Sequence, residues 1–307
     1  MRRLLNSRPR PTDGLTRREA LGAAALLALP LPQAHAAQAA PAAAAGPQRI
    51  VSVGGALTEI VYALDAQHAL VGVDTTSLHP LAARALPSVG YARALSAEGV
   101  LSLAPTLLLH TPEAGPPAVM AQLASTRLAL ERLDLDHHID GLLTATRRIA
   151  ALTGREAQGA QLAQRLQADW AAALQQVAVR RGSAPAPRVL FVLSHSMAQV
   201  RISGRGTAAD AMIHLAGGRN AFAGTQGYKP LAPEAAIAAA PDLILCTDQG
   251  LQAAGGVDGL LKAPGLAATP AGRARRVVSM EALLLLGFGP RLPQAVAGLA
   301  ELLHARA

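Results

Sequence analysis

The chain contains little of what several common functions require. Its 307 residues include one cysteine, and aromatic residues make up only 2% of the sequence. A single cysteine excludes a disulfide within the chain and any CxxC motif. Because Cys246 lies in the apolar stretch DLILC, we expect it in a buried strand. The scarcity of aromatic side chains gives a ligand site few stacking surfaces, so its walls must be aliphatic.

Charge is scarce and unevenly placed. Charged residues make up 16% of the chain, and 28 Lys and Arg against 20 Asp and Glu give a formal net charge of +8. Six of the arginines lie between Arg2 and Arg18, ahead of the first apolar run. No basic block interleaved with aromatic residues follows them, so we expect no nucleic-acid partner.

Motifs of common enzymes are missing. The sequence has no GxxxxGK[ST], HExxH or GxSxG motif, and no Ser, His and Asp set supports an exported α/β hydrolase. The stretch SGRGTAAD lacks the dinucleotide register, and we interpret Thr207 and Asp210 in it as a helix start. LDLDHHID brings His137 and His138 beside aspartates, but adjacent side chains point in different directions, which favours a polar loop over a metal site. We expect no enzymatic activity.

The N terminus is typical of an export signal. A twin arginine, Arg17-Arg18, precedes an Ala/Leu run that is too short for a membrane span of about 20 residues and ends in small residues. We expect a twin-arginine signal peptide over residues 1–36, cleaved near Ala36, and a linker over 37–48. No cysteine follows at the place where a lipoprotein carries its acyl group, so we expect a free periplasmic protein without membrane insertion.

Alternating strand and helix patterns predict an α/β fold. RIVSVGG, LTEIVYALDA and LVGVD read as strand, helix and strand, and the alternation continues through GVLSLAPTLLLH. Such a pattern favours a parallel sheet flanked by helices.

One stretch of the chain recurs. GYARALSAEGVLSLAPTLLL at 90–109 returns as GYKPLAPEAAIAAAPDLIL at 227–245, and Glu98 matches Glu234 at an offset of 136. The Gly-Tyr pairs that open the two stretches are offset by 137, so one residue was gained or lost after them. The recurrence predicts two similar lobes.

The segment between the repeats lacks strand signals. It is rich in Ala, Leu, Gln and Arg, and from Arg155 onward it could form about 26 residues of helix, about 39 Å long. We therefore predict an N-terminal lobe at 49–140, a connecting helix at 141–181 and a C-terminal lobe at 182–307. Trp170 lies in the middle of that helix, where we expect it to pack.

The two Gly-Tyr pairs are candidate ligand contacts. A glycine before the tyrosine favours a sharp turn at a strand end, which would present the phenol to a crevice between the lobes. Tyrosine oxygen can ligate ferric haem iron, and a nearby cation favours the phenolate; Arg93 follows Tyr91 by two positions. A surface tyrosine hydrogen-bonded to backbone fits the same residues.

The chain resembles the periplasmic haem-binding proteins that supply haem ABC transporters, a group related to the cobalamin- and siderophore-binding proteins. The resemblance covers nearly the whole mature chain and rests on RIVSVGGALTEIVYALDA, LVGVDTTSLHP, VGYARALSAEGVLSLAPTLLL, SGRGTAADAMIHLAGGRNA, GYKPLAPEAAIAAAPDLIL and LLLLGFGPRLP. It implies two Rossmann-like α/β lobes joined by a single long helix, a ligand cleft between them, and haem as the transported ligand.

The resemblance also implies site residues. Tyr91 would ligate the iron, and Arg93 would hydrogen-bond its phenolate. His195 stands where some members have a second-lobe ligand, although Ser196 and Met197 replace the glycines expected after it. By position, Tyr228 as the mate of Tyr91 in the repeat is a further candidate cleft contact, and Arg93, Lys229 and Arg291 are candidate partners of the haem propionates.

The repeated glutamates gain a role from the same resemblance. Glu98 and Glu234 occupy the place of glutamates that dock with a permease dimer in cobalamin-binding members; ordinary first-turn helix acids are the alternative. A cobalamin or a ferric siderophore is the alternative ligand, and the number of haems stays open. We expect a monomer.

Overall fold

Strands and helices alternate along the chain, as the sequence predicts. The structure is a computed structural model, which describes residues 48–193 and 200–305. The strands are β1 (Ile50–Val53), β2 (Leu70–Val73), β3 (Leu107–His110), β4 (Ala129–Arg132), β5 (Arg188–Leu193), β6 (Arg201–Ser203), β7 (Arg219–Asn220), β8 (Tyr228–Pro230), β9 (Leu243–Thr247) and β10 (Val277–Met280). The α-helices are α1 (Gly55–Ala63), α2 (Ala97–Leu101), α3 (Pro117–Ala124), α4 (Ile139–Thr153), α5 (Glu156–Arg181), α6 (Ala208–Leu215), α7 (Pro233–Ala239), α8 (Asp248–Ala253), α9 (Gly256–Leu260), α10 (Pro270–Arg273), α11 (Ala282–Leu286) and α12 (Leu292–His304).

Some predicted features lie outside the described residues. These are the signal peptide with its cleavage site, the linker except for Gln48, and His195. Over the residues that are described, no helix combines the length and apolar character needed to cross a bilayer.

The first lobe contains a parallel sheet in the order β2-β1-β3-β4. Strand β1 is buried along its whole length, as is β3 up to Leu109, so their sequences are continuous apolar runs rather than alternating ones. Ile50 pairs with Leu107 and Val53 with His110, which aligns the carboxyl ends of these two strands at one edge of the sheet. Ligands of open α/β folds bind at this edge.

The second lobe contains a sheet in the order β10-β9-β5-β6-β8, with β7 paired to β5. Strands β10, β9, β5 and β7 are parallel, but β6 and β8 join the sheet antiparallel. The second sheet is therefore mixed, whereas the sequence indicated parallel pairing alone. The antiparallel pairing of β6 with β8 places Tyr228 opposite Ser203.

The repeat seen in the sequence is a structural repeat. Helix α2 leads into β3 and helix α7 leads into β9, with Leu107 and Leu243 beginning the two strands. Between helix and strand, Ala104 and Ala240 both adopt left-handed backbone, with φ of 45° and 42°. Non-glycine residues seldom adopt this conformation, so its recurrence at the same offset of the repeat supports the relation between the lobes.

Two helices fill the segment between the lobes. Helix α4 ends at Gly154, whose φ of 64° suits glycine, and α5 then runs for 26 residues from Glu156 to Arg181. Its buried residues lie on one face, which packs against α4 and α12. Trp170 is half-buried against the core, as predicted. The two-lobed α/β fold with a long helix between the lobes is confirmed.

Candidate functional site

A buried carboxylate organises the edge of the first sheet. Asp74, which follows β2, is 2% exposed. It accepts hydrogen bonds from the backbone N–H of Gly54 and of Thr76, both at 3.0 Å. The hydroxyls of Thr76 and Ser77 donate to it at 2.7 and 3.0 Å. Asp74 thus ties the turn between β1 and α1 to the end of β2, and a Cβ on Gly55 in that turn would clash with the Thr76 carbonyl.

The first Gly-Tyr pair lies in a turn beside this edge. Gly90 has a φ of 92°, which glycine adopts readily, so the predicted sharp turn is present. The backbone N–H of Thr75 donates to the Gly90 carbonyl at 2.9 Å, and that of Gly115 donates to the Ala92 carbonyl at 2.9 Å. Backbone hydrogen bonds on both sides therefore hold the turn that carries Tyr91.

Tyr91 is exposed and paired with Arg93. The tyrosine is 44% exposed, and its phenol oxygen accepts a hydrogen bond of 2.8 Å from Arg93 Nη1. The guanidinium carbon lies 6.0 Å from the centre of the tyrosine ring. The hydrogen bond implied by the resemblance is thus present, and the phenol is accessible to a ligand. Its role as an iron ligand stays a prediction.

The second Gly-Tyr pair is arranged differently. Gly227 has a φ of 68°, and Tyr228 begins β8, where its ring meets Phe191 edge-on with the ring centres 6.5 Å apart. The tyrosine is half-buried. Burial raises the pKa of the Tyr228 phenol, although its hydrogen bonds to the Thr207 hydroxyl and the Ala209 backbone act in the opposite direction.

Tyr228 lies within electrostatic reach of Arg93, although the two residues belong to different lobes. The positive charge of Arg93 is close enough to Tyr228 to oppose the rise in its pKa. Thr207, whose hydroxyl influences the pKa of the Tyr228 phenol, caps α6 by accepting a hydrogen bond of 3.1 Å from the Asp210 N–H. The predicted helix start at Thr207 is therefore correct, and it lies on the side of the second lobe that faces Arg93.

Arg291 joins the two lobes. It follows the loop after α11, and its guanidinium binds the carboxylate of Glu59 on α1, with Nε to Oε2 at 3.1 Å and Nη2 to Oε1 at 2.5 Å. Oε2 of Glu281 lies 3.5 Å from the same Nη2 atom. Glu59 is 5% exposed, and burial raises the pKa of its carboxyl while the charge and hydrogen bonds of Arg291 counteract this. Arg291 is thus engaged by protein carboxylates, and its contact with a ligand stays a prediction.

The remaining predicted residues are on the surface. Lys229 is exposed and points to the opposite face of β8 from Tyr228, because strand side chains alternate. Glu98 and Glu234 are exposed first-turn acids of α2 and α7. No ion pair with another described residue involves either glutamate.

The histidine-rich loop before α4 is largely exposed. Asp134, Asp136 and His138 are exposed, as expected of a polar loop. His137 packs against Phe288 with the ring centres 5.0 Å apart. A cavity of about 460 Å³ lies between this loop and the start of α6. In the described parts of the chain, no three His, Cys, Asp or Glu side chains are grouped to hold a metal ion.

Two structurally important residues were not predicted. Asp74 ends the strand pattern LVGVD, where an acid after a buried strand is a weak indication of a turn carboxylate. Glu59 lies inside the apolar helix pattern LTEIVYALDA, and a charge in such a pattern indicates a buried partner elsewhere. Neither signal identifies the partner.

Comparison with known proteins gives consistent matches. The family model described as periplasmic binding protein matches residues 50–283. The solved structure of the periplasmic heme-binding protein BhuT in complex with two hemes is 50% identical, over 84% of this chain and 98% of that one, with a TM-score of 0.80. The apo heme-binding protein RhuT from Roseiflexus sp. RS-1 is 43% identical, over 84% of this chain and 98% of that one, with a TM-score of 0.80.

A curated relative matches over a similar length. The uncharacterized ABC transporter substrate-binding lipoprotein YvrC of Bacillus subtilis (strain 168) is 26% identical over 260 residues, which is 84% of this chain and 80% of that protein.

Proposed function

The chain belongs to the periplasmic binding protein family, and from this premise we propose that it captures ferric haem in the periplasm and delivers it to an ABC permease in the inner membrane. The 50% identity to a heme-binding protein with two bound hemes supports haem as the ligand. The observation that carries the proposal is the hydrogen bond from Arg93 to the exposed phenol oxygen of Tyr91 in the turn at the sheet edge.

Tyr91 supplies the iron ligand in this proposal. Its phenol loses a proton as the oxygen binds iron(III), and the Arg93 guanidinium, which already donates to that oxygen at 2.8 Å, favours the negative charge that results. The protein catalyses no reaction. Affinity comes from the metal bond together with burial of the apolar porphyrin faces against aliphatic walls.

The other cleft residues have supporting roles. Lys229 and Arg291 are the cations proposed for the haem propionates; Arg291 would do so while paired with Glu59. Tyr228 contacts the ligand from the second lobe, and His195 is the proposed second-lobe ligand. Binding of cobalamin or a ferric siderophore in the same cleft is the alternative.

Export and docking complete the proposal. The twin-arginine signal at residues 1–36 directs the chain to the periplasm, where the mature protein acts as a monomer. Glu98 and Glu234, one exposed carboxylate in each lobe, contact cationic side chains of a permease dimer.

A hemin titration of the mature chain tests the ligand assignment. We expect a Soret band with the charge-transfer features of high-spin, tyrosine-ligated iron(III), and we expect Tyr91→Phe to abolish those features. Tyr62→Phe is the matched control, because Tyr62 on α1 is the third tyrosine of the chain. Arg93→Leu should weaken hemin binding about tenfold, as a charge-assisted hydrogen bond is lost.

Two results would oppose the proposal. One is an unchanged spectrum for Tyr91→Phe, which would remove the tyrosine from the iron. The other is the absence of hemin binding by the wild-type chain together with saturable binding of cyanocobalamin or a ferric siderophore, which would favour the alternative ligand.

A further inference from the structure

Two exposed aliphatic side chains occupy equivalent places in the two lobes. Leu101 on α2 is 36% exposed and Ile237 on α7 is 44% exposed. They lie 136 residues apart, at the same offset as Glu98 and Glu234. Each aliphatic side chain is three residues after the glutamate of its own helix, so the two lie on one helix face.

The inner faces of the same helices are packed normally. Val100 and Ala236, which also match at the offset of 136, are both 0% exposed. Leu101 and Ile237 therefore are not part of the core contacts that hold α2 and α7 to their sheets. Covering an exposed leucine or isoleucine side chain with another surface lowers the free energy, because burial of apolar area is favourable.

The surroundings of the two pairs match as well. In both lobes the connection from helix to strand passes through an alanine with left-handed backbone, Ala104 three residues after α2 and Ala240 directly after α7. The glutamates form no ion pair with other described residues. Each lobe thus presents an exposed glutamate, without an ion pair among the described residues, on the same helix face as one partly exposed aliphatic side chain.

From this repetition we infer that Leu101 and Ile237 are apolar anchors for the permease dimer, each seated beside the glutamate of its lobe. The partner is a two-fold symmetric membrane protein that offers, twice, a cationic side chain next to an apolar depression. This inference rests on the proposed function. Apolar contact by Leu101 and Ile237 supplies affinity, while the carboxylates of Glu98 and Glu234 steer association and fix the register.

The test uses hemin-loaded mature protein and the haem ABC permease–ATPase complex of the same organism, purified in nanodiscs. Leu101→Ser and Ile237→Ser should each weaken docking about tenfold, and the double variant about a hundredfold. Glu98→Gln with Glu234→Gln should instead slow association and reduce its dependence on salt. Val179→Ser is the matched control, since Val179 is 75% exposed and lies on α5, not on α2 or α7.

The hemin titration separates the two proposals. The anchor assignment is wrong if the aliphatic variants match wild type in both hemin binding and docking. It is also wrong if the wild-type chain binds hemin but does not dock. Neither result affects the assignment of haem as the ligand. If wild-type protein fails to bind hemin, the proposed function fails first. Normal hemin titrations combined with weakened docking by both variants, and not by Val179→Ser, support the anchors.

Discussion

Glu59 of α1 and Arg291 after α11 form an ion pair between the two lobes, although 232 positions separate them in the chain. The carboxylate is 5% exposed, and burial raises its pKa in spite of the guanidinium beside it. Desolvation therefore outweighs pairing for this acid. Buried pairs of this kind fix an arrangement more than they stabilise it.

Removing one partner of the Glu59–Arg291 pair should lower the stability of the fold far more than removing both. We expect Arg291→Met to lower the free energy of unfolding by about 3–5 kcal/mol because it leaves Glu59 buried and unpaired. The double variant with Glu59→Gln should recover most of this loss. Urea denaturation of both variants at neutral pH is the measurement, and a double variant as unstable as the single one would contradict the interpretation.

The pH dependence of stability provides a second measurement on the same pair. Because the pKa of Glu59 is raised in the folded state, that state binds the proton more tightly than the unfolded chain does. The stability contributed by this group is therefore largest at low pH and falls as pH rises from the ordinary range of a glutamate through the raised folded value. Glu59→Gln should remove this component, so the stability of the variant relative to wild type increases over that interval.

Tyr228 should not replace Tyr91 at the iron. Burial raises the pKa of the Tyr228 phenol and outweighs the opposing effects of Thr207, the Ala209 backbone and Arg93, so the phenol releases its proton to a metal ion less readily than an exposed tyrosine does. We expect Tyr228→Phe to keep the charge-transfer band of the hemin complex that Tyr91→Phe loses. Absorbance spectra of the two variants decide the matter; loss of the band in Tyr228→Phe would show shared ligation.

Asp74 should be among the most sensitive polar residues. Its replacement by alanine leaves the buried N–H group of Gly54 and the partly buried N–H group of Thr76 without acceptors, at a cost of about 3 kcal/mol or more. Asp169→Ala, on the exposed face of α5, should change stability by less than about 0.5 kcal/mol. Thermal unfolding followed by circular dichroism compares them, and equal effects would rule out the proposed role of Asp74.

Gly90 and Gly99 form a matched pair of glycines. An added Cβ would meet its nearest atom at 3.7 Å at either position, but Gly90 has a φ of 92° whereas Gly99 is helical. Gly90→Ala should therefore cost about 1–3 kcal/mol through backbone strain alone, and Gly99→Ala should stabilise by about 0.4–1 kcal/mol. Denaturant midpoints of the two variants test the difference in sign.

Cys246 should be unreactive in the folded protein. It lies in β9 at 1% exposure, and burial, assisted by the charge of Asp248, raises the pKa of its thiol to about 12. At neutral pH the thiol stays protonated and inaccessible. Ellman's reagent should label it only after guanidinium chloride is added; rapid labelling of the native chain would contradict the buried position.

The sequence was sufficient for the features that depend on local pattern. Helix α5 begins within one residue of the predicted Arg155, because helix periodicity depends on residues that are close in the sequence. The repeat predicted two lobes, because a duplicated stretch can be recognised by comparing the sequence with itself. The turn at Gly90 was likewise predictable, since glycine before an exposed tyrosine favours positive φ.

Features that depend on distant partners were not predictable. Nothing near Arg291 indicates Glu59, and strands β6 and β8 are each three residues long, too short for an alternation that reveals antiparallel pairing. The burial of Tyr228 depends on that pairing, so its contrast with Tyr91 required the three-dimensional arrangement.

The one-residue slip after each Gly-Tyr pair separates two kinds of symmetry. Outside the slip, Glu98 with Leu101 and Glu234 with Ile237 keep identical spacing, so α2 and α7 each carry an acid followed by an aliphatic residue three positions later. At the Gly-Tyr pairs the lobes differ, because Tyr91 is exposed in a turn and hydrogen-bonded to Arg93, whereas Tyr228 is half-buried in β8. The dimeric partner that we propose would thus meet one acid and one aliphatic side chain in each lobe, whereas the proposed haem ligand would meet a different tyrosine environment on either side.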